Sequence, residues 1–165
     1  MDDRSSGMWV IALTFIIAML FSVISLPEFV PWELGYLRPE WVVLVLVYWV
    51  IALPQRVGLV IAWVIGLLLD VLSGNLLGQH GFVFIIIVYI TASLYQRLRM
   101  FAVWQQSLIV FGIVSLGQLV DFWIENIVGL VRWDLWYLFP AIMSALMWPW
   151  VFMALRFLRR FFRVS

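Results

Sequence analysis

Residues 58–78 read GLVIAWVIGLLLDVLSGNLLG, and this stretch decides the fold. Every fourth position in it carries a small residue or an acid, and we call these six positions the small-residue row: Gly58, Ala62, Gly66, Asp70, Gly74 and Gly78. Helices in lipid pack closely where small residues recur at this spacing, so the stretch predicts a membrane helix built to meet another helix. Because a lipid-facing carboxylate is costly, Asp70 should face protein, water or a partner.

The composition of the whole chain supports a membrane protein. Of its 165 residues, 66% are hydrophobic and only 12% are charged, whereas soluble domains carry about 25% charged residues. A soluble fold of this size could not bury so much apolar surface. Cysteine is absent, which excludes disulfides and Cys-based metal sites. No phosphate-binding loop or basic stripe with interleaved aromatics is present, so we expect no nucleic-acid partner.

Apolar runs predict an all-α integral membrane protein, a single domain over residues 1–165 with six spans. The predicted spans cover residues 8–26, 40–53, 57–77, 82–96, 106–131 and 138–155. The second run is short for a span, so a five-span arrangement with a re-entrant segment stays open. We favour six spans because Val42 to Val47 is continuously aliphatic.

The distribution of arginine predicts the orientation. With six spans and an internal N-terminus, eight of the ten arginines lie on the inner side, and only Arg38 and Arg132 lie outside. Both termini are therefore predicted to be cytoplasmic. A five-span arrangement with an external N-terminus exchanges Arg4 and Arg38 between the two sides and gives the same tally, so charge alone does not choose between them. Residues 156–165 predict a basic amphipathic tail whose arginines face acidic lipid headgroups. These tail arginines are Arg156, Arg159, Arg160 and Arg163.

A second group of polar residues is predicted inside the membrane. Gln118, Asp121 and Glu125 are spaced i, i+3 and i+7, so they share one helix face. Counting 1.5 Å per residue places Asp70 and Asp121 at similar depth in the outer half of the bilayer. With Arg38 as a nearby cation, these residues form a predicted intramembrane polar cluster.

Three interpretations of this cluster stay open. The acids could be structural, either protonated or paired with Arg38 or Arg132, and we favour this for Asp121 and Glu125. They could form a proton or substrate pathway. They could also form an aspartyl dyad for peptide cleavage, but the Gly-x-Gly-Asp element of intramembrane aspartyl proteases is absent. We interpret His80, the only histidine, as a solvated loop residue, and predict no metal and no cofactor.

Four motifs give the chain a resemblance to a known family. They are Arg38-Pro39-x-Trp41, the run from Gly66 through Asp70 and Gly74 to Gly78, Trp104-Gln105-Gln106 and Trp148-Pro149-Trp150. With six spans in a chain of this length, they resemble the MreD family of rod shape-determining membrane proteins. The family's characteristic acid corresponds to Asp70, and its glycines correspond to Gly66, Gly74 and Gly78.

The resemblance implies a non-catalytic inner-membrane protein of the bacterial cell-elongation machinery. Family members bind MreC, a single-span protein, and are associated with MreB, RodA and the transpeptidase of RodA. The small-residue row is then the expected groove for the MreC span. The resemblance also implies a fold similar to the substrate-binding subunits of energy-coupling-factor transporters. The alternative function is therefore a vitamin-binding subunit, whose pocket would use Asp70, Asp121, Glu125 and Trp123 and whose vitamin would co-purify.

Overall fold

A computed structural model describes residues 3–23, 38–129 and 138–164, and of residues 3–6 it describes the backbone only. These residues form six helices and contain no strand. The helices are α1 (Asp3–Val23), α2 (Trp41–Ala52), α3 (Leu59–Ser73), α4 (Gln79–Met100), α5 (Val103–Ile127) and α6 (Phe139–Phe161). The predicted all-α fold with six helices is confirmed.

The helices differ in their capacity to span a bilayer. Helices α4, α5 and α6 are long and apolar enough to cross a membrane, whereas α2, α3 and the Gly7–Val23 part of α1 are shorter apolar helices. The 12 residues of α2 extend only about 18 Å, against about 30 Å of hydrocarbon in a typical bilayer. Polar groups must therefore approach both ends of α2.

Helix α2 forms the centre of the bundle. Every residue from Val42 to Ala52 is buried, as expected for a helix that is apolar on all sides. It packs against α1, α4, α5 and α6. The indole Nε1–H of Trp49 donates a 2.9 Å hydrogen bond to Thr14 Oγ1 of α1, which satisfies the one polar atom of that buried side chain. Helix α3 lies farther out, where it packs chiefly against α4 and less against α1.

The short connections at residues 53–58, 74–78 and 101–102 make α2, α3, α4 and α5 successively antiparallel, and polar residues collect at two ends of the bundle. We call one end the arginine end; its arginines are Arg56, Arg97, Arg99, Arg156, Arg159 and Arg160. We call the other the carboxylate end; its acids are Glu40, Asp70, Asp121 and Glu125. Cavities lie at both termini of α2: about 670 and 440 Å³ at the arginine end, and about 230 and 210 Å³ at the carboxylate end.

Three of the helix bounds differ from the bounds of the predicted spans. Helix α3 ends at Ser73 because Gly74 adopts a left-handed conformation with φ of 68°. Helix α4 begins at Gln79, three residues before the predicted start of the fourth span. Helix α6 continues through Pro149 to Phe161, so most of the predicted tail is its last turns. No glycine or proline interrupts residues 151–161, which explains why the helix continues.

Candidate functional site

Asp70 is the best-satisfied polar side chain at the carboxylate end. It is fully buried. Its Oδ2 accepts a 2.8 Å hydrogen bond from the Gly78 N–H, and its Oδ1 accepts one of 3.1 Å from the His80 N–H. His80 Nδ1 also lies 2.7 Å from Oδ1. These amides open α4, so the carboxylate caps the positive end of the helix dipole.

The backbone of Asp70 fixes the same turn from the other side. Its carbonyl oxygen accepts hydrogen bonds from the N–H groups of Gly74 and Asn75, which ends α3. Gly74 and Gly78 both have positive φ, 68° and 94°, a conformation that favours glycine. Asp70 and these two glycines therefore join α3 to α4 as one rigid hairpin.

Gly66 allows α3 and α4 to touch along their backbones. A Cβ atom at Gly66 would clash with both Cα and N of Gly81 in α4. Ala62 is also fully buried, whereas Gly58 has open space around it. At Gly66 the close approach that the small-residue row predicts is thus made by α4 of the same chain. The connection at residues 74–78 is short, so α4 is the nearest helix available to fill this position.

The predicted face of α5 lines a polar cavity of about 230 Å³. Its lining consists of Glu40, Asn75, Gln79, His80, Gln118, Asp121, Glu125 and Pro140. The side-chain amide of Gln79, the first residue of α4, donates hydrogen bonds of 3.2 Å to both Asp121 and Glu125. Gln79 therefore links the start of α4 to both acids of α5.

The structure separates other members of the predicted cluster. Asp70 does not line this cavity, and its carboxylate is held by the start of α4. Arg38 lines a neighbouring cavity with Glu40 rather than with Asp121 or Glu125. Trp123 is exposed. Arg132 lies outside the described residues.

Three residues at this end were missed or misread from sequence. His80 is not a solvated loop residue, because it lies in the first turn of α4 and contacts Asp70. Glu40 and Gln79 were overlooked, although both line the cavity. A usable signal was present: each is a polar residue directly at the start of an apolar helix, where free backbone N–H groups attract polar partners.

The chemistry open to this cavity is narrow. Three carboxylates line it and no arginine does, so it suits water or a cation better than an anion. Among the described residues, no group of three or more His, Cys, Asp or Glu side chains is arranged to hold a metal ion. Its volume is also below the roughly 300–1,000 Å³ of typical small-molecule pockets, which disfavours a vitamin. Asp70 and Asp121 do not share the cavity, which disfavours an aspartyl dyad.

The arginine end is organised around the last turn of α2. Arg99 of α4 donates from Nε to the Ile51 carbonyl and from Nη2 to the Ala52 carbonyl, both at 2.7 Å. These carbonyls have no partner within α2, so Arg99 acts as a side-chain cap. Its guanidinium also lies over the Tyr95 ring, 5.3 Å from the centroid.

Two of the sequence motifs meet beside this cap. Gln106 donates from Nε2 to the carbonyls of Leu98 and Phe101, at 2.9 and 3.2 Å. Its Oε1 accepts a 3.2 Å hydrogen bond from the indole of Trp148, which is fully buried. The Trp-Gln-Gln and Trp-Pro-Trp elements thus fix the end of α4, the start of α5 and the middle of α6 to one another.

Comparisons with known proteins identify the family. The family model described as rod shape-determining protein MreD matches residues 3–158. The rod shape-determining protein MreD of Haemophilus influenzae is 36% identical over 148 residues, which cover 88% of this chain and 91% of that relative. No solved structure matches, so the similarity to energy-coupling-factor subunits stays a prediction. With a family match over nearly its whole length, the chain belongs to the MreD family of rod shape-determining membrane proteins.

Proposed function

We propose that this chain is a non-catalytic scaffold of the bacterial cell-elongation machinery that binds the single transmembrane segment of MreC. Membership of a rod shape-determining family supports the scaffold role. Through MreC the chain would join a complex with MreB, RodA and the transpeptidase. The observation that carries the binding proposal is the position of α3 at the edge of the bundle, with one side packed on α4 and the other exposed.

The exposed side of α3 is a continuous apolar stripe. It consists of Val60, Val64, Leu68 and Val71, which follow one another at helical spacing. Because α4 already occupies Gly66, a partner helix would contact α3 on this stripe rather than at Gly66. In lipid such a contact gains from dispersion and shape, since apolar burial alone contributes little. The hairpin fixed by Asp70 would hold the stripe in place.

The localisation that fits this proposal is the inner membrane, with the arginine end toward the cytoplasm. The positive-inside rule supports this orientation, since the described arginines other than Arg38 lie at the arginine end or in the chain segments that adjoin it. Cysteines introduced singly at Ser6 and Asn75 test it in intact cells. We expect a membrane-impermeant maleimide to label Asn75→Cys and to spare Ser6→Cys. The reverse pattern would reject the orientation.

The MreC contact is tested by enlarging one exposed leucine at a time. Leu68 on α3 and Leu146 on α6 are 51% and 62% exposed, so tryptophan fits at either position without burial. We expect Leu68→Trp to reduce MreC recovery in mild detergent about fivefold, since membrane helix contacts are worth roughly 1 kcal/mol. Leu146→Trp should retain it at equal membrane abundance. Undiminished recovery with Leu68→Trp would reject the α3 stripe as the MreC contact.

A further inference from the structure

We propose that the cavity at the end of α2 binds the phosphate of an anionic phospholipid headgroup. The cavity has a volume of about 440 Å³ and lies between α2, α4, α5 and α6. Its lining consists of Tyr48, Ile51, Ala52, Arg99, Gln106, Phe152, Arg156 and Arg159. This lipid site goes beyond the scaffold role and does not depend on MreC.

The charge of the cavity favours an anion. Three guanidinium groups line it and no carboxylate does. The ion pair of His80 with Asp70 lies at the opposite end of the bundle. Like charges held together at a membrane interface repel unless a counter-ion joins them. Planar guanidinium groups match phosphate oxygens in bidentate geometry, which makes phosphate the best-suited anion.

Most of the side chains that line the cavity are held in position by contacts within the protein. The two hydrogen bonds from Arg99 to α2 use only part of its five N–H donors, so others are available to a ligand. Gln106 is held by three hydrogen bonds, and the rings of Tyr48 and Phe152 pack edge to face at 5.6 Å. Binding would therefore order chiefly the side chains of Arg156 and Arg159, which keeps its entropic cost low.

An adjoining cavity extends the positive surface. It has a volume of about 670 Å³ and shares Ala52 and Arg99 with the first. Arg56 lines it, and the Nη1 of that side chain is buried without a hydrogen-bond partner. Its guanidinium adds a fourth positive charge near the end of α2.

The position of the cavity favours a lipid over a soluble phosphate. Helices α4 and α6 are both long enough to cross a bilayer, so their ends lie near headgroup depth. Met153 and Phe157, next to the cavity arginines on α6, are exposed and offer apolar surface to acyl chains. Basic pockets between membrane helices on the cytoplasmic side commonly hold acidic headgroups.

Two double variants with the same change in charge test the site. Arg156→Gln/Arg159→Gln removes cavity arginines, whereas Arg160→Gln/Arg163→Gln removes arginines of the same segment that do not line the cavity. Each protein is reconstituted into nanodiscs of phosphatidylglycerol and phosphatidylcholine and then released. The lipid that stays bound to the protein is measured by native mass spectrometry. We expect the cavity pair to lose retained phosphatidylglycerol roughly tenfold and the control pair to change it less than about twofold.

Two outcomes would overturn the proposal. If both double variants retained as much phosphatidylglycerol as the unaltered chain, the cavity arginines would have no role in binding it. Equal loss from both would show general attraction to an acidic surface. The source of the phosphate is tested on the unaltered chain, where millimolar glycerol phosphate should not displace phosphatidylglycerol. Displacement would overturn the assignment to a lipid. Size-exclusion elution matching the unaltered chain shows that each variant is folded.

Discussion

The two ends of the bundle differ in whether their charged side chains have partners within the protein. At the carboxylate end, the Asp70 carboxylate is buried and fully engaged by the start of α4, and Gln79 bonds both Asp121 and Glu125. At the arginine end, Arg99 bonds two carbonyls of α2, but Arg156 and Arg159 face a cavity that no carboxylate lines. Three of the four acids at the first end thus have hydrogen-bond partners within the fold, whereas part of the positive charge at the second end is available to a ligand.

The short central helix explains why both ends contain polar groups. Helix α2 is fully buried yet too short to cross a bilayer alone, so its termini lie below the membrane surface. Unpaired backbone groups at such termini cost several kcal/mol in an apolar medium, of the order of 2–7 each, unless side chains reach them. Arg99 reaches the C-terminus, and at the N-terminus the Glu40 N–H donates a 2.8 Å hydrogen bond to Ser144 Oγ.

The largest expected effect comes from breaking the α3–α4 contact at the carboxylate end. Gly66→Leu would force a side chain into the backbone of Gly81, whereas Gly112→Leu on α5 would meet no atom within 4 Å of its Cβ. We expect Gly66→Leu to destabilise the protein by more than about 3 kcal/mol and Gly112→Leu to be neutral or slightly stabilising. Thermal unfolding in detergent measures both. Similar melting temperatures would contradict the backbone contact.

A smaller loss is expected from neutralising Asp70. Asn has one acceptor oxygen where Asp70 has two, so Asp70→Asn would place its NH2 group against the N–H of either Gly78 or His80, and we expect a loss of roughly 2–3 kcal/mol. Asp121→Asn is the matched control, because Asp121 is only half-buried and lies at a cavity. Its expected cost is under about 1 kcal/mol. Equal losses in thermal unfolding would show that Asp70 is no more structural than the other acid.

The sequence predicts the local features of this fold better than it predicts which helices pack against each other. Apolar runs predict six helices, and the spacing of Gln118, Asp121 and Glu125 predicts a shared face, which the cavity shows. The small-residue row predicts a close helix contact at Gly66 but does not say with which helix. A four-residue spacing describes one surface only, and the short turn after Asp70 supplies the contact from within the chain.

The central position of α2 and the polar helix starts depend on long-range packing. A uniformly apolar run of 12 residues fits a short span, a re-entrant segment or a core helix, and only its neighbours decide among them. Glu40 and Gln79 join the polar cavity because α2, α4 and α5 converge there, which no local pattern encodes. The same holds for Arg99, which contacts carbonyls 47 and 48 residues away along the chain.

The next prediction concerns Arg99, the arginine that caps the C-terminus of α2. Arg99→Gln would remove the cap from the Ile51 and Ala52 carbonyls, and we expect a loss of about 1–2 kcal/mol. Arg97→Gln, two residues earlier on an exposed position of the same helix, should change stability by less than about 0.5 kcal/mol. Thermal unfolding in detergent compares the two. A loss as large for Arg97→Gln would show a general effect of charge rather than a specific cap.

The smallest loss of stability is expected in the middle of the bundle, away from the carboxylates at one end and the arginines at the other. Thr14→Val would remove the acceptor of the Trp49 indole N–H in the buried core, at an expected cost of about 1 kcal/mol. Thr91→Val is the control, because the equally buried Thr91 hydroxyl donates only to the Ile87 carbonyl of its own helix. If both variants unfold at the same temperature, the hydrogen bond from α2 to α1 adds nothing to stability. Apolar packing alone would then hold α2 in place, and only the two ends of the bundle would depend on polar contacts.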